Sequence, residues 1–188
     1  MSNQDGRVLR SVKSQKLIVG AYIKLLRAGT MEPTAQMVAD KSRIGIRTVF
    51  RQFDDMENLL KSVDAELSKD YNFDVKFDPI SSFEDRLAIA INHFNSGYKK
   101  HRLIMFATAS NMWKYKFLEK NYMNYQKIIR TKTEEVLPEV LNFDSELQEL
   151  THATLSFAFW TRLHGQGLKK DQIKSAVVRQ CIMIFNSQ

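Results

Sequence analysis

Apolar residues recur at helical spacing along nearly the whole chain. Leu17, Ile18, Ala21, Tyr22, Leu25 and Leu26 share one face, and Ala28-Gly29 supplies a stop. Pro33-Thr34 opens a short second segment, with Thr34 as N-cap and Val38 and Ala39 facing inward. Asp54 and Glu57 form a D-x-x-E capping pattern ahead of Met56, Leu59, Leu60, Val63 and Leu67. The stretch 72–82, with Pro79, several aspartates and Ser81-Ser82, breaks the pattern and marks a module boundary. Beyond it Phe83, Leu87, Ala90, Ile91, Phe94 and Tyr98 line one helix, and a segment over 103–112 follows. Further helices are predicted over 115–136 (stopped near Pro138), over 145–164 (closed by Gly165) and over 170–185. The expected fold is all-α: an N-terminal three-helix helix-turn-helix head and a larger C-terminal helical bundle, about nine helices in all. Residues 1–53 form the head with a basic arm, helix 54–70 connects, and 71–188 form the second domain.

The stretch Arg43 to Phe53, RIGIRTVFRQF, mixes apolar and basic residues and decides the reading of the head. Strand alternation puts Ile44, Ile46, Thr48, Phe50 and Gln52 on one face, mixing polar with apolar. The helical period instead gathers Ile46, Val49, Phe50 and Phe53 at i, i+3, i+4 and i+7. Arg47, Thr48, Arg51 and Gln52 then share the opposite face. Two turns do not hold a helix alone, so the segment needs a partner, and the Thr34–Ser42 helix is adjacent. Two short helices joined by a tight turn, the second one basic, make a helix-turn-helix.

Composition agrees with helices: Gly and Pro number only 7 and 3 in 188 residues. The lone Cys181 excludes an internal disulfide framework. The start, MSNQDGR, lacks a signal-peptide run, and the apolar stretches KLIVGAYIKLL and ATLSFAFW are too short or too interrupted to span a bilayer. A soluble cytoplasmic protein without membrane partners is expected. The placement of charge is more informative than its total of +7. From Met1 to Phe53 ten basic side chains face three acidic ones, a surplus of seven that equals the net charge of the whole chain. Localised positive charge fits a polyanion partner such as DNA, RNA or anionic lipid, or a solvated basic tail.

TAQMVADKSRIGIRTVFRQFDDMENLLKSV resembles the DNA-binding domain of TetR-family transcriptional regulators. The matching features are Thr34 opening the second helix, Ala39, Ile44 in the turn, Thr48-Val49-Phe50, Phe53, and Glu57 with Leu59-Leu60. The likeness covers about Ser14 to Val63, and FWTRLHG is a weaker echo of the family's dimerising helix. Four positions depart from the pattern: Arg43 replaces a turn glycine, Gly45 a Ser/Thr cap, Phe50 a tyrosine and Met56 a lysine.

The resemblance implies a homodimer that sets two recognition helices in successive major grooves of a near-palindromic double-stranded operator. It implies Thr34, Gln36, Arg43, Arg47, Thr48, Phe50, Arg51 and Gln52 as DNA-contacting residues. Arg47 is expected to read a base, and Thr48 and Gln52 to position phosphate. Arg7, Arg10, Lys13 and Lys16 are expected to form a flexible arm on the DNA, or to be disordered. A pocket for a small apolar or aromatic effector is implied around Phe94, Met105, Phe106, Trp113, Tyr122, Tyr125 and Phe157. Phe159, Leu163, Val178, Ile182 and Phe185 fit a dimer interface or ordinary monomer core. Repression relieved by effector is the mode implied.

Enzyme signatures are missing from the sequence. His93, His101, His152 and His164 are scattered, and no nucleophile elbow, phosphate-binding loop or paired-carboxylate motif is present. No metal or other cofactor is expected. The alternative from another class is a basic helical adaptor without sequence-specific DNA binding.

Overall fold

The computed structural model of the protein describes residues 3–187. Among them the regular structure is entirely helical: α1 (Asn3–Arg27), α2 (Ala35–Ser42), α3 (Ile46–Phe53), α4 (Met56–Leu67), α5 (Phe83–Asn111), α6 (Lys116–Val136), α7 (Ser145–Thr154), α8 (Phe157–Gly165) and α9 (Lys170–Phe185). Short 3-10 turns lie at Ser68–Asp70 and Pro138–Asn142. Among the described residues no helix is long and apolar enough to cross a membrane.

Contacts divide the chain into two compact units, neither of them continuous in sequence. The first holds the chain up to Tyr71 together with Arg102–Tyr122. The second holds Asn72–His101 and the chain from Met123 onward. The break between Tyr71 and Asn72 falls at the start of the turn-rich stretch 72–82. The return of 102–122 to the N-terminal unit is not what the reading of 71–188 as one domain expects. The cause is apolar: Ile104 and Ala107 are buried in the same core as Ile18, Val38, Val49, Leu59 and Val63, with Tyr115 and Phe117 packed against it.

Three helix boundaries differ from the predicted ones. The helices expected over 83–98 and 103–112 are one helix, α5. The run Lys99-Lys100-His101-Arg102 between them contains no Gly or Pro, so it alters which face is buried without stopping the helix. The single helix expected over 145–164 is two. Ser156 begins α8 as N-cap, accepting from Phe159 N at 3.2 Å while its hydroxyl donates to Ala153 O at 2.7 Å. The cap of α4 is Asp55 rather than Asp54, its Oδ1 accepting from Asn58 N at 2.8 Å.

The second unit is pinned by a buried guanidinium. Arg86 donates to Val136 O at 2.7 Å and Ser81 O at 3.2 Å and makes a two-pronged pair with Glu139. This tether holds the first turn of α5 to the end of α6. Beside Arg86, the Glu139 carboxyl is held below the usual carboxylate range. Elsewhere in the unit Tyr98, Phe157 and Trp160 form an aromatic cluster with centroids 5.6–6.2 Å apart, and Tyr98 OH donates to Leu155 O at 2.7 Å.

Candidate nucleic-acid interface

The site is α3 and the turns that carry it. Val49 and Phe53 are buried, and Ile46 packs half-buried on the same core. Phe50, expected on the apolar face, is 42% exposed and stands at its rim. Arg47 and Arg51 are exposed, with Thr48 and Gln52 half-buried beside them. Arg51 Nη2 lies 3.5 Å from Thr48 Oγ1. Two guanidinium groups one turn apart therefore leave the same side of a helix whose other side is anchored in the core.

The turn into α3 is a Schellman closure of α2. Ile44 N donates to Ala39 O at 3.1 Å and Arg43 N to Asp40 O at 3.3 Å. This closure needs a left-handed residue, and Arg43 supplies it at φ 58°, ψ 33°. Gly45, by contrast, sits at φ −58°, ψ 139°, open to any residue, and offers α3 no side-chain cap. Both departures noted in the sequence thus have a physical form: a strained arginine and an uncapped helix start.

The exit from α3 is strained as well. Asp54 has φ 63°, ψ −53°, and Asp55 N donates to Phe53 O at 2.7 Å. That is a γ-turn of the rare positive-φ kind. Arg43 and Asp54 are the only non-glycine residues with positive φ among those described, and they stand on either side of α3. Strained backbone of this type persists where the surroundings over-determine it, and it clusters at functional sites.

On α2, Thr34 caps the helix by accepting from Met37 N at 3.3 Å, and Gln36 is paired to Asp40 at 2.8 Å. Both are exposed at the opening of the supporting helix.

The N-terminal basic residues are not a flexible arm. Arg7, Arg10, Lys13 and Lys16 lie within α1, which runs unbroken to Arg27. Arg10 Nε donates to Gly6 O and Ser14 Oγ to Arg10 O, both at 3.0 Å. Ser11 Oγ donates to Gln52 Oε1 at 2.9 Å, joining α1 to α3. Sequence reasoning missed Ser11, because its partner lies 41 residues away and nothing local announces it. It also read Asp54 as the cap of α4, whereas Asp55 caps and Asp54 carries the positive-φ exit from α3.

The seven residues grouped as an effector pocket divide between the units. Met105, Phe106, Trp113 and Tyr122 fall in the first, and Phe94, Tyr125 and Phe157 in the second. Trp113 is 78% exposed. Phe94 and Phe157 are buried, and Tyr125 stacks on Phe73 at 5.9 Å. A cavity in the first unit, about 30 Å³, is bounded by Tyr22, Leu26, Leu60, Asp64, Asn111 and Leu118 among others, and by none of the seven. It suits water rather than an effector, since ligand pockets run to roughly 300–1,000 Å³. Asn121 Nδ2 donates to Asp64 Oδ2 at 2.6 Å. Burial nevertheless pushes the Asp64 carboxyl up, and the Asn121 bond offsets this only in part.

In the candidate dimer stripe, Phe159, Leu163, Val178 and Ile182 are half-buried within the single chain. Phe185 belongs to the unit's own packing, stacked on Phe83 at 4.3 Å with Phe143 at 5.9 Å. α9 buries Ile173, Val177, Cys181 and Ile184 and leaves Met183 64% exposed. No family model, curated protein or solved structure matches the chain.

Proposed function

We infer that the protein is a sequence-specific DNA-binding transcriptional regulator. The observation that carries this reading is α3: a short helix anchored through Val49 and Phe53, with Arg47 and Arg51 projecting from its exposed face. Its neighbours α1 and α2 supply further basic and donor groups, and the charge surplus of the chain is concentrated there. The resemblance of Thr34–Val63 to TetR-family heads points the same way. In this reading Arg47, early in α3, reads a base edge. Arg43 and Arg51 contact phosphate, and Thr34 and Gln36 do so from the supporting helix. A homodimer sets two copies of α3 on half-sites one helical turn apart, and the half-covered Phe159, Leu163, Val178 and Ile182, with exposed Met183, support self-association. Release by a small apolar or aromatic effector follows from the resemblance. It works only if the effector prefers a state that fits DNA poorly.

The test is selection of bound DNA from a random pool. The expected product is a near-palindrome with half-site centres roughly 34–36 Å apart and binding that weakens steeply with salt. Equal retention of any polyanion would favour a basic adaptor instead. One observation favours that second reading: Val8, Leu9 and Val12 are 44–69% exposed among the bases of α1, a pattern that suits an anionic surface with an apolar component.

A further inference from the structure

We propose that Ser11 is a positioning residue for Gln52, turning its amide so that Gln52 serves as a donor-only contact to a DNA phosphate. The proposal rests on the DNA-binding reading above and assigns one of its contacts. A glutamine carries an acceptor oxygen and a two-proton donor nitrogen on the same planar end. Reading adenine takes both at once, presented side by side to N6 and N7. In this protein Gln52 Oε1 is drawn toward α1 by the Ser11 hydroxyl at 2.9 Å, and both side chains are half-buried. With the oxygen facing α1, the amide edge needed for adenine is not presented. The nitrogen is left outward, and among the described residues it donates to no protein acceptor. Position along the helix gives the same answer. Gln52 is the penultimate residue of α3 (Ile46–Phe53), whereas recognition helices read bases chiefly from their N-terminal residues. A donor at the far end meets backbone oxygen. The contact depends on α1 being helical at Ser11, which gives the N-terminal extension a role beyond its charge.

The experiment is a double-mutant cycle on the full chain, using the DNA that the wild-type protein selects and its single-base variants. Ser11→Ala and Gln52→Ala are each expected to weaken binding roughly two- to tenfold, the usual worth of one hydrogen bond. The loss is expected to be alike on all sequences. The double variant is expected to be no weaker than Gln52→Ala alone, and Ser11→Thr to restore binding. Gln52→Lys is expected to tighten binding on every sequence and to steepen the salt dependence by about one phosphate's worth (slope change ~0.9). Additive losses, a silent Ser11→Ala, or a Gln52 variant that shifts preference at one base would each overturn the assignment. If the wild-type protein selects no DNA, the DNA-binding reading falls and the assignment with it. If it selects DNA and Ser11→Ala is silent, only the positioning role falls.

Discussion

Arg43 and Asp54 bracket α3 with positive φ, 58° before the helix and 63° after it. Glycine adopts such angles without a Cβ penalty of roughly 1–2 kcal/mol. Arg43→Gly and Asp54→Gly are therefore each expected to raise stability by about 1 kcal/mol in urea unfolding. Arg43→Gly should at the same time weaken DNA binding, because a cation near the interface is lost. Asp54→Gly should not weaken it, since the residue removed is an anion.

Gly45 offers the reverse case. Its φ of −58° requires no glycine, and nothing lies within 4 Å of a Cβ built there. Gly45→Ser gives α3 a side-chain cap and a stiffer unfolded chain, together worth about 0.5–1 kcal/mol. Thermal unfolding should show a higher midpoint, and an unchanged or lower one would mean that the serine does not cap.

Arg47→Ala is expected to cost ~1–3 kcal/mol of operator affinity and to relax the preference at one base position. Arg51→Ala should weaken all sequences about equally and reduce the salt slope by about one phosphate. Titrations against single-base variants at several salt concentrations separate the two roles.

Asp64 yields a pH prediction with a definite sign. Its carboxyl is pushed up by burial, so the folded protein holds this proton more tightly than the unfolded chain does. The protonated form favours folding at low pH, and that advantage disappears as pH rises through the raised folded value. Asp64→Asn should thus stabilise modestly at neutral pH, the relief of a partly buried charge being reduced by solvent screening. The gain should fade in acid, where wild-type Asp64 is itself neutral. A gain constant with pH would assign the effect to packing.

Arg86→Met is expected to destabilise by about 3 kcal/mol, because Glu139 and the Val136 carbonyl lose a buried partner together. The Glu139 carboxyl, held down by Arg86, has the opposite sign to Asp64. Its stabilisation is present above the ordinary carboxylate range and is lost as pH falls through the lowered folded value. Acid unfolding of the variant should accordingly be shallower.

Legibility from sequence followed the range of the interaction. Thr34 capping α2, the apolar underside of α3 and the span of α9 are set by residues within a few positions of one another. Each stands where the pattern predicts, except that Phe50 lies at the exposed rim of the α3 underside. Arg43 and Gly45 were legible as anomalies, and the structure supplies the angles that make them so. The continuity of α5 was obscured by a polar run that shifts the buried face. The helical state of Arg7 to Lys16 was obscured by the lack of a clear apolar stripe there. The Ser11–Gln52 bond and the burial of Ile104 and Ala107 beneath the N-terminal helices join distant parts of the chain, and no local period encodes them.

The split membership of the first unit also has a consequence during synthesis. Its core closes only when Ile104 and Ala107 meet Ile18, Val38 and Val49, and Tyr71 and Arg102 are separated by the opening third of the other unit. A ribosome adding roughly 5–20 residues per second has therefore finished α3 several seconds before it has made the wall that α3's unit leans on. In that interval the nascent chain displays a basic helix on an open apolar platform. Truncation after Tyr71 would make that state permanent, giving an insoluble fragment rather than a minimal DNA-binding module.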